Sequence, residues 1–211
     1  MFYLTLIMNL TPKSDINPLI NVLNHFHPLS ESIIDYLHKH VVPIKAQKGE
    51  ILSEAGSICE NVYFIVKGVI RGYIVDNSKD VTTWISSENE LVTSIYSLDT
   101  EDPAPENIEA LEDCQLLTMT TNALKDLYSV HKDFNINGRK LLQQYYRDAE
   151  SRAFIIRVSR AEDKYERFLQ LYSNLANRVL LKHIASFLGI TLETLSRIRS
   201  RYAAKGRAIK V

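Results

Sequence analysis

The sequence predicts an α+β chain in three parts: an N-terminal β jelly-roll barrel, one long helix, and a C-terminal helix-turn-helix. Three observations carry this. Between Val41 and Met119, short apolar runs alternate with Gly, Asn, Asp and Pro turns, the texture of a sandwich or jelly roll. From about Asp133 to Val158 the apolar period becomes helical. Leu181–Ile198 then carries the apolar, small and capping residues of two short helices joined by a tight turn.

Taken in order, Phe2–Met8 is a short apolar start with no basic flank and no small-residue cleavage site. It is expected to pack on the body, or to reflect a start codon set too far upstream. Pro28–His40 reads as a short amphipathic helix capped by Ser30. In the barrel, Val62, Phe64 and Val66 alternate with Tyr63, Ile65 and Lys67. Gly68 permits a reversal into Val69–Val75, and Asp76–Asp80 is a polar turn leading into Val81–Ser86. Asp99–Glu106 is an acidic, Pro-containing loop, followed by strands at Asn107–Leu111 and Gln115–Thr118. Helices follow at Thr121–Val130, at 133–158 and at Ala161–Leu175. The domain boundaries are therefore expected at 1–132, 133–158 and 159–211.

Composition sets the class. Of 211 residues, 45% are hydrophobic and 24% charged, as in an ordinary globular protein. Cys59 and Cys114 are the only cysteines, too few for a disulfide scaffold and without metal-ligand spacing. No apolar run reaches transmembrane length, so no membrane partner and a cytoplasmic location are expected.

The helix-turn-helix is the most specific signal. Ile184, Leu188, Ile190, Leu195 and Ile198 supply the apolar contacts between its helices. Ala185 is small where they cross, Gly189 suits a turn with φ above zero, and Thr191 is an N-cap. The opposite face of the second helix carries Glu193, Thr194, Arg197, Ser200 and Arg201. A packed face backed by a basic, hydrogen-bonding face suits a helix lying in the major groove. Charge agrees. The chain has 25 Lys+Arg against 25 Asp+Glu, yet from Arg178 onward eight bases face one acid, Glu193. Phosphate attraction is local, so a basic tip on a neutral body suffices. On the long helix, Gly138, Leu142, Tyr145, Ala149, Arg152 and Ile156 follow a heptad-like spacing. They are the candidate dimer interface, the alternative being packing on the barrel. A helix-turn-helix reads few base pairs alone, and two-fold dimers are its usual solution.

Barrel, long helix and C-terminal helix-turn-helix together resemble the Crp/Fnr family of bacterial transcription regulators. The residues that carry the resemblance are Lys48-Gly49-Glu50-Ile51 with Gly56, Tyr63–Gly68, Ile108–Leu117 and, above all, Ile184–Arg199. It implies a cyclic-nucleotide-binding-like effector domain, a dimerisation helix, and a recognition helix at Thr191–Tyr202. It also implies double-stranded DNA, a second copy of the chain and RNA polymerase as partners. Against the family's cyclic-AMP receptor, Leu192, Glu193 and Arg197 stand where Arg, Glu and Arg reach base edges. Glu193 is then expected to accept from cytosine, or to complement the helix dipole, and Arg197 to donate to guanine. Thr191, Thr194, Ser196 and Ser200 complete the reading face. Arg199, Arg201, Lys182 and His183 are candidate phosphate contacts. The family continues into a β-hairpin wing, for which Gly206–Val211 leaves one stub of strand, a shortened winged helix.

The effector is a different matter. The family's nucleotide site needs a Gly-Glu pair for the ribose and Arg-Ser or Arg-Thr for the cyclic phosphate. Here Asn89 and Glu90 fall at the first pair, and Ala104 and Pro105 at the second, amid Asp99, Glu101, Asp102, Glu106 and Glu109. Without a guanidinium and with added carboxylates, the site is expected to reject cyclic AMP. Cysteine clusters for iron–sulfur sensing and haem-ligand motifs are absent, so no cofactor is expected and any other effector is unidentified. Arg71, Trp84, Tyr96, Tyr145 and Tyr146 are candidates for lining a pocket between barrel and helix, unless they are core. The cupin alternative needs barrel histidines, and Glu50–Leu117 has none. No nucleophile turn or phosphate loop appears either, so no enzyme is expected. A protein-interaction module that kept the fold and lost DNA binding is the remaining alternative.

Overall fold

Eight strands form two four-stranded antiparallel sheets in the computed structural model, which describes residues 15–100 and 102–204, without the side chain of Asp99. Phe2–Met8, Glu101 and Gly206–Val211 lie outside the described residues. The strands are β1 Val42–Ala46, β2 Ile51–Ser53, β3 Asn61–Lys67, β4 Ile70–Asp76, β5 Lys79–Ser86, β6 Leu91–Val92, β7 Asn107–Ala110 and β8 Cys114–Thr120. One sheet runs β1-β8-β3-β6 and the other β2-β7-β4-β5. The chain changes sheet between β3 and β4 at Gly68, whose φ is +122°. A Cβ there would sit 2.4 Å from Cys114 Sγ, so both backbone freedom and space demand glycine. The β4–β5 hairpin closes on Asn77 and Ser78, both with positive φ, the geometry a two-residue hairpin turn requires.

Helices flank both sheets of the barrel. Two of them, α1 (Asn17–Phe26) and α2 (Glu31–His40), precede the strands. The first has no strong start signal beyond Pro18 and was not expected from the sequence. The second begins where Ser30 predicts, although the Ser30 hydroxyl pairs with Ser32 Oγ rather than with the backbone. A short α3 (Ile95–Asp99) follows β6, and α4 (Thr121–Val130) is capped by Thr120 Oγ1, which accepts from Ala123 N at 3.2 Å. The long helix α5 (Phe134–Arg157) is stapled to α1 by Asn137, whose Nδ2 donates to Leu23 O and His27 O, each at 2.8 Å. Both faces of β3 are buried. Tyr63 and Ile65 point into the barrel, and Phe64 packs on the helices.

The C-terminal helices are α6 (Ala161–Leu171), α7 (Leu181–Leu188) and α8 (Leu192–Ala204). The expected helix to Leu175 stops at Leu171, and Ser173–Leu175 is a 3-10 turn. A single apolar cluster joins Val69, Ile85 and Leu111 of the barrel to Ile155, Phe168, Ile184, Phe187 and Leu195. The helix-turn-helix is therefore packed onto the barrel. Among the described residues no helix is long and apolar enough to cross a membrane, and both cysteines are buried free thiols.

Candidate nucleic-acid interface and effector cavity

The turn between α7 and α8 is built as its residues dictate. Gly189 adopts φ +62°, Ile190 N donates to Ala185 O at 3.0 Å, and Gly189 N donates to Ser186 O at 3.0 Å. This pair of bonds closes the end of α7 on a left-handed residue. The orphan carbonyl of Leu188 accepts from buried Lys164 Nζ at 3.0 Å. Thr191 Oγ1 accepts from Thr194 N at 3.2 Å, the N-cap bond expected of it. Leu195 and Ile198 are buried beneath α8. Glu193, Ser196, Arg197, Ser200 and Arg201 are exposed and Thr194 half-buried on its other side. Backbone N–H of its own turn and the Thr191 hydroxyl hold the Glu193 carboxyl below the ordinary value.

The basic residues meet different fates. Lys182 and Arg197 are exposed. Arg201 pairs with Glu162 at 2.6 Å. Two of the expected phosphate contacts are placed otherwise. Arg199 turns back, Nη1 donating to Ala176 O at 2.8 Å and Nη2 to Asn177 Oδ1 at 3.2 Å. His183 is 7% exposed, and burial, with Arg71 and Lys182 nearby, pushes its pKa down to about 4. It is a neutral packing residue at pH 7.

The cause is a docking seam between α7 and the β4–β5 hairpin, with α7 lying against β5. Ser186 Oγ accepts from Thr82 N at 2.9 Å and donates to Asp80 O at 3.1 Å. Arg178 grips both oxygens of Glu88 at 2.7 and 2.8 Å and Glu112 at 2.6 Å. The guanidinium holds the Glu88 carboxyl down to about 2. None of these contacts was expected, because Arg178 counts in the sequence only as one more base in a basic tip. Its partners lie 90 and 66 residues away.

The long helix also differs from its expected seam. Gly138 is buried, and a Cβ there would meet Tyr128 Oη at 2.4 Å. Tyr145 bonds inward to the backbone N–H and carbonyl of Leu91, the former at 2.7 Å. Arg152 lies beside Tyr172 on the cavity wall and lowers its pKa. These three serve intramolecular packing. Leu142, Ala149 and Ile156 remain exposed, with Tyr146 68% exposed. Together with half-buried Ala153 they form an apolar 4-3-4-3 stripe, Leu142-Tyr146-Ala149-Ala153-Ile156.

Beneath this helix a cavity of about 820 Å³ opens toward the barrel. Trp84, Glu90, Tyr145 and Tyr146 line it as expected, and so do Glu106, Asp148, Arg152 and Tyr172. Three candidates fall elsewhere. Arg71 is buried in ion pairs with Asp80 and Glu109 at 2.8 and 2.6 Å, its guanidinium over the Tyr73 ring. Tyr96 is exposed. Asn89 is in a left-handed turn, its N–H bonded to Ile65 O.

Residues 43–131 match the cyclic nucleotide-binding domain family. The fumarate and nitrate reduction regulatory protein of Vibrio cholerae serotype O1 is 24% identical over 205 residues, 87% of this chain and 80% of that protein. Among solved structures, FixK2 from Bradyrhizobium japonicum shares the fold with a TM-score of 0.68, at 20% identity over 79% of this chain and 86% of that one. The c-di-GMP responsive global regulator CLP from Xanthomonas campestris gives 0.66, at 16% identity over 84% and 93%. Residues 43–131 thus belong to the cyclic nucleotide-binding domain family, and the chain as a whole shares its fold with regulators of the Crp/Fnr type. Within this barrel, Ala104 at the expected phosphate position is buried, its backbone tied to Gly56 N and Ser57 O at 2.8 Å each. The neighbouring Glu106 carboxylate accepts from Thr83 Oγ1 and Trp84 Nε1 on the cavity wall.

Proposed function

We propose that this chain is a DNA-binding transcription regulator of the Crp/Fnr type that acts as a homodimer, reads a palindromic operator through α8, and does not respond to cyclic AMP. The observation that carries the reading is α8 itself: a helix apolar beneath, with Ser196, Arg197 and Ser200 exposed and Thr194 half-buried on its other side. Arg197 is positioned to donate to a guanine edge and Glu193 to accept from a cytosine. Lys182 and Arg201 flank them for phosphate contacts. The exposed stripe of α5 supports pairing with a second copy, which would set two α8 helices about one duplex turn apart, roughly 34–36 Å. RNA polymerase is the further partner such a regulator would engage.

Selection of bound fragments from a random duplex pool, with sedimentation of the same preparation, tests this. The expected result is a dimer enriching an inverted repeat, with retention that weakens steeply as salt rises. A monomer, or retention indifferent to salt, overturns it in favour of a protein-interaction module. For cyclic AMP, titration calorimetry on the whole chain is expected to give no saturable heat. Saturable micromolar binding refutes that part.

A further inference from the structure

The cavity between barrel and α5 is large enough for a drug-sized molecule, and its wall chemistry is opposite to what a phosphate needs. Among the described residues, Glu90, Glu106 and Asp148 face a single guanidinium, Arg152, in its polar lining once Glu88 is matched with Arg178. The aromatic residues Trp84, Tyr145 and Tyr172 complete it.

Trp84 is held there by design of the backbone. It pairs across the sheet with Gly72, where any Cβ would come within 2.2 Å of the indole. The indole lies over that glycine and donates Nε1–H to Glu106 Oε2 at 2.9 Å, and Thr83 Oγ1 donates to the same oxygen at 3.1 Å. Glu106 Oε1 has no hydrogen-bond partner among the described residues. Glu90 is held by the N–H of Ser87 at 3.3 Å.

We propose that this cavity is a site for a small organic cation, an ammonium or amidinium carried on an aromatic or aliphatic body, anchored on Glu106 and Glu90. A half-buried carboxylate without a matched cation is disfavoured, and a ligand cation supplies the missing partner while its body fills apolar space. The aromatic residues add attraction for the same charge. Burial holds both carboxyls above the ordinary value, with Asp148 raising Glu90 further and Arg152 lowering both. Arg152 thus offsets the burial of these two carboxyls only in part. The same wall repels anions. The inference names the effector class for the regulator proposed above and rests on that reading only for its biological meaning.

The chain's single tryptophan reports on the site. Phenethylamine and benzamidine are titrated against Trp84 emission, with phenylacetate as the anion of matched size. The amines are expected to change the emission saturably and phenylacetate to leave it unchanged. Glu106→Gln keeps an acceptor for Trp84 but removes the charge, and is expected to weaken amine binding by about tenfold or more. Glu90→Gln is a second, independent variant, and the melting temperature of each confirms folding. Phenylacetate binding as well as the amines, neither amine binding up to millimolar, or folded Gln variants that bind amines unchanged would each overturn the proposal. Duplex retention is measured on the same preparation. Retention without amine binding defeats the cation site alone, whereas amine binding without retention defeats the DNA reading and leaves the site standing.

Discussion

The two helices of the helix-turn-helix carry similar polar residues and meet opposite surroundings. Helix α7 lays His183 and Ser186 against the β4–β5 hairpin, where they are buried or bonded to backbone. Helix α8 turns Thr194, Ser196, Arg197 and Ser200 away from the body. The bases around them divide in the same way: Arg178 and Arg199 are bound within the fold, and Lys182 and Arg197 are exposed. Position relative to the barrel, rather than residue type, decides whether a cation anchors the domain or faces a partner.

Arg178→Ala breaks the division at its strongest point. It leaves Glu88 and Glu112 facing each other without a cation. Since all three side chains are about 30% exposed, screening reduces the effect. A loss of about 1–3 kcal/mol is expected, between the exposed and buried extremes, read as a melting temperature several degrees lower. An unchanged melting temperature would mean that apolar packing alone holds the seam. Arg197→Ala probes the other side. It should reduce specific duplex affinity by about 1–3 kcal/mol and relax preference at one base pair, with no change in thermal stability. Unchanged site preference would remove Arg197 from the reading face.

Acid sharpens the comparison. The His183 pKa is about 4 in the fold against 6.5 ordinarily, so the unfolded chain takes up a proton that the fold refuses. Stability from this source is full above about pH 6.5 and falls as pH drops toward 4. The contribution of Glu88, whose pKa is about 2 against 4.5, is present above pH 4.5 and is lost as pH falls through 2. Denaturant melts of His183→Gln should therefore lose the upper window and keep the lower. A curve that is unchanged across both would exclude His183 as a source of acid sensitivity. The smallest effect is expected for Lys182→Ala, which should weaken all duplexes alike and lower the salt slope by about one. A sequence-dependent loss would instead make Lys182 a base contact.

Much of this architecture is legible in residue pattern. The hairpin at Asn77-Ser78, the turn at Gly189 and the N-cap at Thr191 are local, each set by a backbone requirement that few residue types meet. The misplaced residues have a shared explanation. Tyr145 and Arg152 sit at heptad-compatible positions, and helical periodicity cannot say which flank of the stripe faces the barrel. Arg71 looks like a ligand donor until Asp80 and Glu109 are seen to enclose it. Helix α1 was equally legible, with Ile16, Leu19, Ile20 and Leu23 recurring at helical spacing around Pro18, although it was not expected.

By itself the sequence determined the kinds of element, their order and the two faces of α8, because turns, caps and helical period act over a few residues. Only the tertiary structure decided which cations are bound internally, which aromatics wall the cavity, and that the reading unit rests on the barrel. Burial and ion pairing depend on partners up to about a hundred residues away, and a side chain's charge or apolarity does not name its neighbour.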